Sequence, residues 1–253
     1  MVESSVWRMA RDTVLFFTFT IIYHGTQLSI VLSFSFAQRA GVNEGIITSI
    51  WALTPLFGAV FDRLAFGVKL EGRHLAGMLV MSACATCISL SGFKGQGSTG
   101  DLHPAVPVSV AMVGAILMAA RSFQGKHMVV SHGFNAYDLS FASLSLQGLL
   151  LFGALLYFSP DISAHYLVLG TVSSILNTLG GVFIVKASSM GPLGPVNAYF
   201  TSSSSILFCV IQFTRHARPP TLMELLGMTL GVLGALILTV SEHLKRLFFY
   251  LRI

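Results

Sequence analysis

Residues 139–158 read LSFASLSLQGLLLFGALLYF, with no charged side chain from Leu139 to Phe158. A helix needs about 20 predominantly apolar residues to cross a bilayer. This stretch meets that length and is too apolar for the surface of a water-soluble fold. Working outward by the same criterion gives about eight such stretches. They are Thr13–Ala37, Gly45–Leu64, His74–Ser91, Val106–Ala120, Leu139–Phe158, Ala164–Val185, Val196–Phe213 and Leu222–Val240. The fourth is the least regular. It follows Pro104 and Pro107 and becomes polar at Arg121, where it either stops or runs on toward Val130 as a long, tilted helix.

Composition agrees. Of the 253 residues 54% are hydrophobic and only 10% charged, whereas soluble domains carry about 25% charged residues. Disordered chains are poor in apolar residues, so disorder is excluded. The net charge is +5, but the basic residues sit singly in the gaps between apolar runs. Topology explains them better than nucleic acid does, and no nucleic-acid partner is expected. The first span is too long for a signal peptide and lacks a small-residue cleavage site. The fold class expected is all-α: a polytopic transmembrane helix bundle in the lipid bilayer.

Lys and Arg accumulate on cytoplasmic loops. With the N-terminus inside, Arg8, Arg11, Arg63, Lys69, Arg73, Arg121, Lys126, Lys186, Lys245, Arg246 and Arg252 fall on that side. Arg39, Lys94, Arg215 and Arg218 fall outside. An even span count then puts both termini in the cytoplasm. The choice between plasma membrane and an endomembrane stays open. Lys126, His127 and His132 read as part of a solvated cytoplasmic loop.

Shifted by about 150 residues, the first three spans lie over the last three without a gap, as a repeat search shows. Gly77–Met78 falls on Gly227–Met228, and His24 and Gln27 fall on Ser174 and Asn177. Trp51, Thr54 and Asp62 fall on Thr201, Ser204 and Gln212. The equivalent loops lie on opposite faces, so the repeat is inverted. Inverted repeats are a building plan of secondary transporters, with substrate near the midplane.

A Gly-Pro pair, Gly194–Pro195, opens one span. A turn, Arg218-Pro-Pro-Thr221, leads to Glu224-Leu-Leu-Gly227 and a Gly-rich last helix. Val113–Arg121 reads VGAILMAAR. On these motifs, over most of its length, the chain resembles the EamA-like members of the drug/metabolite transporter superfamily. The resemblance implies two halves of five helices. Here residues 1–93 hold three spans, 94–105 form a linker loop, 106–243 hold five spans and 244–253 form a basic cytoplasmic tail. Set against that pattern, the first two of the family's ten helices are expected to be lacking here. The acid that the family's turn often carries is replaced by Arg218, and by Val68 in the first half.

Ionisable groups within a membrane default to functional hypotheses. No Asp or Glu lies mid-span. Asp62 is expected near a cytoplasmic end, beside Arg63, which reaches interfacial water. His24 and Gln27 share one helix face. They read as a wall of a solute cavity or as interhelical hydrogen bonds holding the bundle. Trp51 and Thr54 form a second stripe, mirrored by Asn197, Thr201 and Ser204. A stripe mixing an aromatic ring with hydroxyls and amides suits a small polar organic solute; packing of Trp51 and hydroxyl bonds to carbonyls one turn back are the alternative. With Ser174 and Asn177, these nine residues are the substrate-binding candidates.

Gly227-x-x-x-Gly231 with Gly234 reads as a packing seam inside the chain, with a homodimer or partner-subunit face as the alternative. Cys84 and Cys87 lie in an apolar span and read as packing rather than a metal site. No catalytic pair or phosphate loop occurs, so neither enzyme activity nor a cofactor is expected. The function expected is transport of a small organic metabolite by alternating access at a central cavity between the repeats. The alternative is a truncated or accessory, non-transporting protein of the same family.

Overall fold

The computed structural model describes residues 5–42, 47, 50–91, 102–158, 163–216 and 221–251. Among them are eight helices and no strand. They are α1 (Ser5–Ala40), α2 (Thr54–Phe66), α3 (Gly72–Ser91), α4 (Ala105–His132), α5 (Ala136–Phe158), α6 (Ala164–Met190), α7 (Leu193–His216) and α8 (Leu222–Leu251). The all-helical class is as expected. Among the described residues four segments are long and apolar enough to cross a membrane: Trp7–Ala40, Ala105–His132, Ala136–Tyr157 and Gly170–Met190. Most of the expected linker loop and the turn at 217–220 lie outside the described residues. The expected tail is helical to Leu251.

Local chemistry sets the helix ends. α1 stops at Gly41, whose φ of 64° suits a residue without Cβ. The Gly41 N–H returns to Gln38 O and the Val42 N–H to Ala37 O, at 3.3 and 2.9 Å. That pair of bonds is a Schellman cap, which satisfies carbonyls the helix leaves open. α8 starts on a capping box. The Thr221 N–H donates to Glu224 Oε2 at 2.6 Å, and the Glu224 N–H donates to Thr221 Oγ1 at 3.3 Å.

The apolar stretch expected to be one span from Gly45 is broken before α2. Ala52 and Leu53 form a turn, and α2 begins at Thr54 with Pro55 in its first turn. Pro55 has no N–H, so the carbonyl four residues back has no helical donor. Thr54 Oγ1 donates to that carbonyl, Trp51 O, at 2.7 Å. Ser82 of α3 donates to Ala52 O at 2.9 Å. A buried backbone carbonyl needs a donor, and here side chains supply it.

The chain forms two compact units, residues 1–25 with 121–191, and residues 26–120 with 192–253. The first contains a core of Phe19, Met128, Ala136, Leu139 and Val185, with α5 packed on α6. In the second, α3 packs on α7 and α8, and α2 packs on α7. Small residues allow close approach there. A Cβ on Gly234 would meet Met81 Cγ at 2.5 Å, and one on Gly231 would meet Cys84 Sγ at 2.9 Å. The glycine seam of α8 therefore faces α3 of the same chain. Cys84 packs with Ile206, Met228 and Leu230.

One expectation is corrected. Arg121, Lys126, His127 and His132 do not lie in a loop: α4 runs unbroken through them, and Arg121, Ser122, Gln124 and Lys126 are buried. Gln124 Nε2 and Lys126 Nζ find backbone acceptors inside the first unit, so the helix carries them without a break. Asp62 lies near the end of α2. It is 0% exposed, and its carboxylate is engaged by the start of α7.

Candidate solute-binding residues

In the second compact unit, Trp51 sits against Ala37, Ile47, Ala111 and Ala115. Gly114 makes room for it: a Cβ there would lie 2.5 Å from the indole Cη2. The indole Nε1 is buried with no hydrogen-bond partner among the described residues. Thr54 is buried, its hydroxyl spent on Trp51 O. Asn197 is 2% exposed and approaches α2 at Gly58, where a Cβ would lie 2.7 Å from Asn197 Nδ2. Thr201 donates to Asn197 O at 2.8 Å. Gln27 is half-buried on α1. Ser204 lies on α7, but its side chain is outside the described residues.

Asp62, one helical turn beyond Gly58, completes the α2–α7 contact by accepting the Leu193 N–H at 2.6 Å. The pairings Asp62 with Leu193 and Gly58 with Asn197 show that the two helices run in opposite directions.

In the first unit, His24 Nδ1 lies 2.8 Å from Thr20 O. A carbonyl only accepts, so Nδ1 carries the proton there, and in the neutral ring Nε2 is the acceptor. Nε2 is buried and has no partner among the described residues. Asn177 Nδ2 donates to Tyr23 Oη at 3.3 Å. The guanidinium carbon of Arg121 stands 3.6 Å above the Tyr23 ring centroid. Ser174, one turn before Asn177, is exposed.

Arg121 is the unexpected member. It is 9% exposed. By helical rise it lies about 24 Å along α4 from Ala105 and about 17 Å from His132. An Arg at a membrane helix centre costs about 2.5–3.5 kcal/mol on insertion scales. A desolvated cation over an aromatic face recovers about 2 kcal/mol. Among the described residues no carboxylate forms an ion pair with it. The neighbouring polar groups are tied down: Gln124 Nε2 donates to Leu15 O at 3.1 Å and Lys126 Nζ to Gly191 O at 3.0 Å.

Between α5 and α6 lies a groove of about 1120 Å³ lined by Phe141, Leu144, Phe152, Leu167, Ser174 and Ile175, among others. Its threonines add little polarity. Thr171 and Thr178 donate to Leu167 O and Ser174 O, both at 2.8 Å.

Sequence reasoning missed Tyr23, Arg121 and Asp62. The signal for Arg121 is present in the sequence, where the fourth stretch either stops at Arg121 or runs on toward Val130. Choosing the continuation places a cation inside a span. Asp62 gave no local signal, because its partner is 131 residues away.

A solved structure described as "Crystal structure of protein" is similar to this chain, with a TM-score of 0.59 and 14% sequence identity over 92% of this chain and 92% of that one. The likeness concerns the fold alone. No protein-family model matches the chain, and no curated protein matches it.

Proposed function

We propose that the protein is an integral membrane transporter of a small organic metabolite, working by alternating access, with both termini cytoplasmic. The reading keeps the EamA-like resemblance, the inverted repeat and about eight spans as its frame. The observation that carries it is a pair of buried ring nitrogens, His24 Nε2 and Trp51 Nε1, with no partner among the described residues. Buried polar atoms are nearly always hydrogen-bonded, so each orphan calls for a reason. A solute acceptor at the indole N–H of the second unit, and a solute donor at the imidazole of the first, each supply one within their own unit. The broken helix beside Trp51 supports the reading, since discontinuous helices form many transporter sites.

Counterflow uptake into liposomes carrying the purified protein tests this. Pooled sugars, amino acids, organic acids and amines should give uptake by one chemical class. His24→Ala and Trp51→Phe should each lower it about tenfold, the equivalent of one lost hydrogen bond of about 1.4 kcal/mol. Uptake no greater than in protein-free liposomes for every class would overturn the reading.

A further inference from the structure

The first compact unit joins two features that the transport reading leaves unused. One is the guanidinium of Arg121, buried in a span, stacked on Tyr23 and facing no described carboxylate. The other is the apolar groove between α5 and α6. They meet at Gly181. The point where a Cβ would sit on that glycine is 3.1 Å from Leu144 Cδ1 and 3.6 Å from Arg121 Nη2, with no other neighbour within 4 Å. Leu144 also lines the groove. The missing side chain of Gly181 thus lets the groove wall at Leu144 and the guanidinium come close to the same point on α6.

From this juxtaposition we infer that the site takes an amphipathic organic anion, its carboxylate on Arg121 and its apolar body in the groove between α5 and α6. This names the substrate class for the transport reading and rests on it for the word substrate; the binding itself does not.

Three physical points carry it. A buried cation with no carboxylate partner is costly, and a matching anion relieves that cost. Tyr23 lies against the guanidinium, whose N–H fork matches a planar carboxylate. A single positive charge balances a monoanion, whereas a doubly charged phosphate would leave net charge in the apolar phase. Lys126 does not supply the second charge there, being committed to Gly191 O. Asn177 stands beside Tyr23 and holds the ring by its hydroxyl. The groove wall is apolar enough to take a hydrocarbon body, as Thr171 and Thr178 spend their hydroxyls on their own helix.

The test is thermal unfolding of the purified protein in nanodiscs of phosphatidylcholine, titrated with hexanoate, hexanamide, hexylamine and acetate. Hexanoate should stabilise the protein, acetate should need at least tenfold higher concentration, and hexanamide and hexylamine should give no shift. Arg121→Gln should weaken hexanoate at least tenfold. Arg121→Lys keeps the charge but loses the fork, and should fall between; it decides the matter if Arg121→Gln does not fold. Equal shifts from hexanoate and hexanamide, no shift from hexanoate, or a folded Arg121→Gln protein with unchanged response would overturn the inference. So would stabilisation by phosphatidylglycerol discs with no response to hexanoate, which would assign Arg121 to a lipid headgroup. Liposome uptake separates the two readings. Hexanoate binding that depends on Arg121 without uptake of any solute keeps the anion site and removes transport. Uptake of neutral or cationic solutes, indifferent to Arg121→Gln, keeps transport and removes the anion site.

Discussion

The carboxylate of Asp62 on α2 holds the backbone N–H of Leu193, the first residue of α7, at 2.6 Å, and both residues are 0% exposed. The first N–H groups of a helix have no partner within it, and its N-terminus favours negative charge. Asp62 meets both needs from another helix. Asp62→Ala should destabilise the protein by about 1–3 kcal/mol, since it leaves a buried donor unpaired. Asp62→Asn keeps an acceptor and should lose less. Thermal unfolding in detergent measures both. Equal Tm for Asp62→Ala and the parent would show that the bond contributes no stability.

Gly114 and Trp51 are in direct contact. A Cβ at position 114 would meet the indole at 2.5 Å and Ser29 Cβ at 2.9 Å. Gly114→Ala should therefore lower stability by about 1–3 kcal/mol through overpacking. Adding Trp51→Leu should recover part of the loss. As a control, a Cβ on Gly148 meets nothing within 4 Å, so Gly148→Ala should be neutral or stabilising by up to about 1 kcal/mol. Identical effects of the two glycine substitutions would contradict the packing.

The capping box of α8 makes a narrower prediction. Thr221→Ala should cost about 1 kcal/mol, within the range for lost caps. Glu224→Gln should be nearly silent, because Gln fills the same role in the box. Unfolding curves of the two variants compare them directly. A Glu224→Gln loss as large as that of Glu224→Ala would mean that charge, not hydrogen bonding, holds this end.

The distribution of Lys and Arg leads us to expect both termini on the cytoplasmic side. Epitope tags at Met1 and Ile253 should both be digested when protease is added from the cytoplasmic face of sealed vesicles. Protection of one tag alone would require an odd number of crossings.

The length and position of the apolar helices were legible in the sequence because span length is set by the bilayer. Leu139–Phe158 and Ala164–Val185 lie within the observed Ala136–Phe158 and Ala164–Met190. Three things were not legible. Pro55 interrupts a uniformly apolar run, and hydropathy does not register a missing donor. Arg121 lowers hydropathy as a loop would, while Tyr23, nearly a hundred residues earlier in the chain, accommodates it. Asp62 sits beside Arg63 and reads as an interfacial pair, until α7 supplies a backbone donor. Of the nine candidate residues, Asn177 lies beside this polar cluster through Tyr23, while Trp51 and Asn197 lie at close helix contacts. A periodic stripe identifies a face without saying what covers it.

The repair at Pro55 has a mechanical consequence. One latch, Thr54 on Trp51 O, belongs to the break and travels with it. The other, Ser82 on Ala52 O, is anchored on α3. Bending at this joint must either drag α3 along or snap the second latch and strand a buried carbonyl. The kink is therefore geared to α3, and through the glycine contacts at Gly231 and Gly234 to α8 as well.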